Sequence, residues 1–357
     1  MFMKIAQVIR RYRKEAGLTQ EEMAKRLGVT TPAVNKWENG NSYPDIELLA
    51  PIARLLHISL DTLLSFKENL TPTEIDEIIQ KMDSMFNEVE FEKVFEWATE
   101  KIKEYPNCNM LIWQMAVILD ARRLAEANLD SEKYDAQINT WYEIALRDES
   151  EEIKRHAADS LFGFYLRKKN YTKAEEYLQY FSENDPMKKT NQARLYKEQG
   201  DIENAFKTSE NLLFTEYQTL NYTFGYMMVM AIEEGDIQTA RYLAEKVGAL
   251  AGIFEMGKYH EYAAMLDVVC AEKNEEETYH IVEQLLNSVD TLHNFQTSKL
   301  YQHMTFRKPE PLVLECLKEK LWNGFRDEKA YEYMKGNEAW EKLIYSKDID
   351  VSNSTIN

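Results

Sequence analysis

The stretch "VTTPAVNKWENG", Val29 to Gly40, decides how the rest of the chain is read. On a helix of 3.6-residue period, Ala33, Val34 and Trp37 fall on one side, and Pro32, Asn35, Lys36 and Asn39 cluster opposite. Thr31 sits at the margin, on the first turn. Thr30 suits the N-cap, and a proline in the first turn costs little because those N–H groups have no helical partner. Gly40 is the residue expected just past the C-terminus. The spacing predicts a short amphipathic helix whose outward face mixes hydrogen-bonding side chains with one cation. Most such faces are simply solvated, so the surroundings must decide whether this one has a task.

Just upstream, "LTQEEMAKRLG" (Leu18 to Gly28) carries a capping box, Thr19 followed three residues later by Glu22. Met23, Ala24 and Leu27 form its apolar side, and Gly28 ends it in a tight turn before Thr30. Two short helices joined this way make a helix-turn-helix. A helix with Ile5, Val8, Ile9 and Tyr12 on one stripe precedes the pair, and "DIELLAPIARLLH" and "SLDTLLS" follow it. Five short helices by Ser65 predict a compact all-α domain.

These residues resemble a known family, the lambda-repressor/Cro-type helix-turn-helix often called XRE. The likeness is carried by Gly17-Leu18-Thr19-Gln20, Met23-Ala24, Leu27-Gly28-Val29, Trp37-Glu38-Asn39-Gly40, Pro44 and the Leu48–Leu56 helix, in one unbroken register over residues 4–65. The resemblance implies that the second helix of the motif enters the major groove of DNA with its N-terminal residues on base edges. Thr31, Pro32, Asn35 and Lys36 would then read bases. Asn suits adenine, Lys suits guanine acceptors, and Thr or Pro can meet a thymine methyl. Pro32 departs from the polar residue more usual there, which leaves fewer hydrogen bonds for readout. Gln20 and the loop residues Asn41, Ser42 and Tyr43 would contact the DNA backbone. Arg13 and Glu38 stand where the family often has a partly buried ion pair, a folding role that keeps both off the reading face.

Charge supports the same division. Residues 1–66 hold nine Lys/Arg and seven Asp/Glu, so they carry +2 within a chain of net charge −18. The remainder, with 34 basic and 54 acidic residues, carries −20. Phosphate attraction therefore concentrates in the first segment, and the acidic remainder stays off the duplex. A charge of +2 is modest, which points to a homodimer placing two heads on one palindromic operator of double-stranded DNA. Cys108, Cys270 and Cys316 are far apart, fitting a reducing cytoplasm and neither a disulfide framework nor a zinc site. No apolar run reaches the 18 or so residues of a membrane span, Tyr226–Ile232 being the longest notable stretch. Arginines at 10, 11 and 13 replace the apolar core of a signal peptide. The expectation is a cytoplasmic protein with no membrane association.

After a looser stretch from Phe66 to Leu70, nearly everything reads as helix. Glycine-linked helix pairs recur, with Ala174, Ala205 and Ala240 in equivalent places and Tyr165, Tyr196 and Ala231 nine residues before them. The best unit has Leu161, Tyr165, Ala174, Leu178 and Pro186 in order, and weaker copies lie at 87–104, 134–146 and 259–287. Spacings near 34 residues resemble tetratricopeptide repeats, without the consensus tryptophan and glycine of the first helix. The fold expected is all-α, a five-helix lambda-repressor-like domain (1–66) followed by a tetratricopeptide-like α-solenoid (67–298). Residues 299–350 read as capping or dimerisation helices with exposed aromatics, and the last dozen residues as frayed. By repeat register a concave groove would present Asp159, Arg194, Tyr222, His260 and Asp267 to an extended peptide, though each is as readily plain solvated surface.

Other chemistries lack their residues. There is no P-loop, no Rossmann fingerprint and no zincin spacing, and His280 with Glu277 is a lone Glu-x-x-His where a di-metal site needs two. No enzyme activity, cofactor or metal is expected. The many tyrosines and methionines read as packing. The layout resembles the peptide-pheromone-sensing regulators of Gram-positive bacteria, which implies a transcriptional regulator whose repeats dimerise and sense a short peptide or protein ligand. The alternatives are a constitutive dimeric repressor without ligand and a repeat-based interaction adaptor.

Overall fold

A computed structural model describes residues 5–66, 70–126, 130–307 and 311–345. The looser stretch after Phe66 lies partly outside these residues, and the last dozen, expected to fray, lie wholly outside. Among the described residues every regular element is helical. Packing groups the chain into two units, 1–157 and 158–357.

The first unit opens with α1 (Ile5–Glu15), α2 (Gln20–Leu27), α3 (Thr31–Glu38), α4 (Ile46–Leu55) and α5 (Leu60–Leu64). Their apolar stripes meet in one core of Val8, Ile9, Met23, Ala24, Val34, Trp37, Ile52, Ala53, Leu56 and Leu63, with Ile5, Tyr12 and Leu27 packed around it. The caps are those the sequence predicts at α2. Thr19 and Glu22 close a full capping box, and Gly28, at φ +68°, turns the chain into α3. At such a φ only glycine is free of Cβ strain. Thr30 does take the N-cap backbone conformation of α3, but its hydroxyl makes no cap bond. The unit continues with α6 (Pro72–Met85), α7 (Phe91–Glu104), α8 (Asn109–Ala125), α9 (Asp135–Ala145) and the start of α10 (Glu151–Arg167). Helices α8 and α9 pack along each other, and Phe91, Phe95, Tyr134 and Trp141 form a ladder of rings 4.7–5.2 Å apart beside them.

The second unit holds α11 (Tyr171–Glu176), α12 (Pro186–Gln199), α13 (Ile202–Glu233), α14 (Ile237–Ile253), α15 (Lys258–Glu272), α16 (Glu275–Ser288) and α17 (Pro311–Phe325). From α12 to α16 each helix packs on the next, as helical-hairpin repeats do. Ala174 and Ala240 are fully buried, and Ala205 is half-buried. One feature departs from the repeat pattern. The second helix of one pair and the first of the next are fused in α13, an unbroken helix of 32 residues. Nothing between Ile202 and Glu233 breaks a helix except Gly225, and a lone glycine costs only about 1 kcal/mol. Its two partners are shorter, α12 with 14 residues and α14 with 17.

Residues 289–307 fold back onto α13 and α14. Tyr301 is buried with Tyr217, Ala251 and Met256, and Phe214, Phe295 and Phe306 pack around them. Of the C-terminal aromatics expected to be exposed, Tyr345 is exposed and the others are not. Phe325 and Trp340 bury with Met334 and Ile344 against Val282, Leu285 and Leu286 of α16, and Trp322 and Tyr331 pack beside them. A helical pattern marks an apolar face, and here α16 offers the matching one. These residues therefore cover the apolar face of α16.

Candidate nucleic-acid interface

The outward face of α3 is held from below. Val34 and Trp37 anchor the helix in the core of the head, and Glu38 turns under it to meet Arg13 of α1. Both charged groups are buried, at 6% and 8% exposure. Arg13 donates through Nε to Glu38 Oε1, through Nη2 to Glu38 Oε2 (2.9 Å) and through Nη1 to the Leu18 carbonyl (2.6 Å). The ion pair that the family resemblance implies is thus bidentate, and it bolts α3 to α1. Burial pushes the Glu38 carboxyl up, but the hydrogen bonds from Arg13 and Gln20 outweigh it and hold the group below its ordinary value.

From Glu38 a chain of carboxamides runs outward to the reading face. Gln20 donates to Glu38 Oε2 (2.9 Å), Asn35 donates to Gln20 Oε1 (3.3 Å), and Asn39 donates to Asn35 Oδ1 (2.9 Å). Asn35 is thereby fixed in rotamer and in the sense of its amide. It keeps one N–H and one acceptor lone pair unspent, the two groups that a bidentate contact to adenine uses. Lys36 and Pro32 are exposed beside it, and Thr31 is half-buried at the helix start. Gly40, at φ +73°, ends the helix in a Schellman turn, its N–H reaching the Trp37 carbonyl (3.1 Å) and that of Asn41 reaching Lys36 (2.9 Å). The turn projects Asn41, Ser42 and Tyr43 outward, all exposed, with Tyr43 at 77%.

Two features of this face were not read from the sequence. The Gln20 side chain is half-buried and spans Glu38 and Asn35, so the contact expected of this residue at the DNA backbone falls to its main-chain N–H at the start of α2. The neighbouring Glu21 and Glu22 make that helix end less attractive to phosphate than the dipole alone would suggest. Ile46, at the first position of α4 just past the Asp45 cap, is 80% exposed beside the loop. An aliphatic residue directly after a cap and ahead of the buried stripe was the available signal.

The residues expected to line a repeat groove are scattered over four helices. Asp159 of α10 accepts from Asn191 (2.7 Å), whose own carbonyl accepts from Arg194 (3.0 Å), so these two meet through a fully buried asparagine. The Arg194 guanidinium lies 5.4 Å from the Phe162 ring and lines a cleft of about 670 Å³ between α12 and α13, walled by Ile202, Phe206 and Leu213. Tyr222 stands alone of the set on α13, 74% exposed. His260 of α15 hydrogen-bonds the Leu292 carbonyl (3.1 Å), and burial pushes its pKa down. Asp267 is exposed a little under two turns further along α15. Glu277, the acidic partner in the lone Glu-x-x-His, is taken by Arg241 (2.6 and 2.7 Å). Among the described residues no helix is long and apolar enough to cross a membrane.

Comparison with known proteins bears on the head. The helix-turn-helix family profile matches residues 9–63. The HTH-type transcriptional activator BcrR of Enterococcus faecalis is 35% identical over 74 residues, which are 21% of this chain and 36% of BcrR. An HTH-type transcriptional regulator of Methanothermobacter thermautotrophicus is 49% identical over 49 residues, 14% of this chain and 71% of that protein. Among solved structures, Bacillus thuringiensis PlcR in complex with the peptide PapR7 and DNA is matched over 89% of this chain and 98% of that one, at 15% identity and a TM-score of 0.25.

Proposed function

Because the chain belongs to the helix-turn-helix family of transcriptional regulators, we propose that α3 lies in the major groove of double-stranded DNA and distinguishes base pairs there. Asn35 and Lys36 make the base-edge hydrogen bonds, and Thr31 and Pro32 give apolar contact to a thymine methyl. Asn41, Ser42, Tyr43 and the main chain at Gln20 set the helix on the sugar-phosphate backbone. The observation that carries this reading is the hydrogen-bond chain from buried Glu38 to Asn35. A solvated face has no use for an asparagine tied through Gln20 to a buried carboxylate, whereas base readout needs its reading groups placed before DNA arrives.

Two heads act together in this reading. The head's charge of +2 neutralises few phosphates, so specific affinity comes from a homodimer on a palindromic operator. The repeats take a short peptide or protein ligand, with Arg194, which the Asp159–Asn191 link holds in place, and the adjoining cleft as the contact region. A ligand with different affinity for two arrangements of the dimer would switch operator binding. The protein works in the cytoplasm and carries out no catalysis. Selecting bound fragments from a random duplex pool with the full chain tests the core of the proposal. The expected result is an enriched inverted repeat, and a pool that stays random overturns it.

A further inference from the structure

The middle of α13 has a surface unlike the rest of this acidic molecule. Residues 217–232 carry no charge, although charged residues make up 29% of the chain. Tyr222, Tyr226, Val229 and Met230 lie within about a third of the helix circumference of one another, with Leu220 and Met227 at one margin. All six are exposed, the two tyrosines at 74% and 58%, and their rings stack with centroids 6.4 Å apart. Thr215, Thr219 and Thr223 share this face. Each hydroxyl donates to the carbonyl four residues back (2.9, 3.1 and 2.8 Å), which satisfies its donor within the helix.

Gly225 adds an independent observation. A Cβ at Gly248 of α14 would sit 2.5 Å from the Glu261 carbonyl oxygen, so close helix packing explains that glycine. A Cβ at Gly225 would meet nothing within 4 Å. Within one copy, then, a glycine in mid-helix costs stability and fills no need. It lies beside Val229, at the margin of the face away from Leu220 and Met227, and leaves that edge open to another backbone.

We infer that this face of α13 is where two copies of the chain pair. The six side chains offer on the order of 500 Å² of apolar surface per copy. Joining two removes about 1,000 Å², the lower end of what a specific interface needs. Two bodies of charge −18 repel, and an uncharged strip is where they can touch at least electrostatic cost. The strip is also self-complementary. In an antiparallel crossing with the two-fold axis at Tyr226, Tyr222 of one copy faces Met230 of the other, four residues on each side of the axis, and methionine packs well on aromatic rings. The fusion of two repeat helices explains why the face is free, since α12 and α14 each cover only part of α13.

The inference rests on the proposed dimer and assigns its interface. Sedimentation equilibrium of the full chain at micromolar concentration tests it, with Tyr226→Glu and Gly225→Leu as variants. Leucine at 225 enters open space in one copy and is a better helix former than glycine, so this variant folds whatever the answer. The expected result is a wild-type dimer and at least a tenfold weaker association in both variants, with far-ultraviolet circular dichroism unchanged. A wild-type monomer, or Gly225→Leu associating as tightly as wild type, overturns the assignment. A wild-type monomer that still enriches one duplex sequence refutes this face and leaves the reading of α3 standing. A dimer that both variants break but that enriches no sequence does the reverse.

Discussion

Helices α3 and α13 each turn an exposed face outward, and the two faces are built on opposite principles. The α3 face is eight residues long and polar, and its central asparagine is tied by hydrogen bonds to a buried ion pair. The α13 face is uncharged, its threonine hydroxyls are turned back onto the helix, and its large side chains stand exposed. A surface that must recognise a pattern of donors and acceptors keeps its own polar groups positioned and unspent. A surface that gains by leaving water hides its polar groups and spreads apolar area. The contrast is the one that the proposed partners, nucleic acid for the first face and protein for the second, would require.

The largest expected effect breaks the foundation of the α3 face without touching α13. Arg13→Ala or Glu38→Ala leaves a buried charge unpaired and should destabilise the head by about 3–5 kcal/mol. Hydrogen exchange would show it as lost protection confined to residues 5–66. Acid probes the same pair. Glu38 is held below its ordinary pKa, so its contribution is complete above the unfolded value of about 4.3 and fades as pH falls through the lower folded value. Head amides should therefore lose protection below about pH 4 in wild type, and Glu38→Gln should flatten that dependence.

The next effect falls on binding alone. Lys36→Ala should cost about 1–3 kcal/mol of specific affinity while head protection stays unchanged. Titration of an enriched duplex checks it, and an unchanged dissociation constant would remove Lys36 from the reading set. The smallest effect sharpens the comparison most. Gln20→Ala cuts the carboxamide chain between Glu38 and Asn35 and should weaken operator binding by about 1 kcal/mol through lost positioning. Tyr226→Glu should leave the affinity of one head for a half-site as it was.

How much of this was legible beforehand depends on how local the signals are. Thr19 with Glu22, Gly28 and Gly40 mark their turns within four residues, so the head could be placed element by element. The Arg13–Glu38 pair came from the family resemblance, because nothing local links residues 25 apart. The carboxamide chain was not visible, since Gln20 and Asn35 meet only once α2 and α3 are docked. In the repeats, the alanine spacing suggested separate hairpins, whereas continuity of helix propensity from Ile202 to Glu233 fused two of them. His260 was placed on a groove by register, yet its ring meets the Leu292 carbonyl, a contact across 32 residues that no pattern announces. The C-terminal aromatics were read as exposed because periodicity marks a face without saying what covers it.

The central claim is that Asn35, fixed from beneath, reads a base. Its most direct test is competition of wild type and Asn35→Ala over every single-base variant of the enriched duplex, at two salt concentrations. The account predicts that wild type discriminates at all contacted positions and that Asn35→Ala loses preference at one position per half-site, with the salt slope unchanged. Identical base preferences for the two proteins would contradict it.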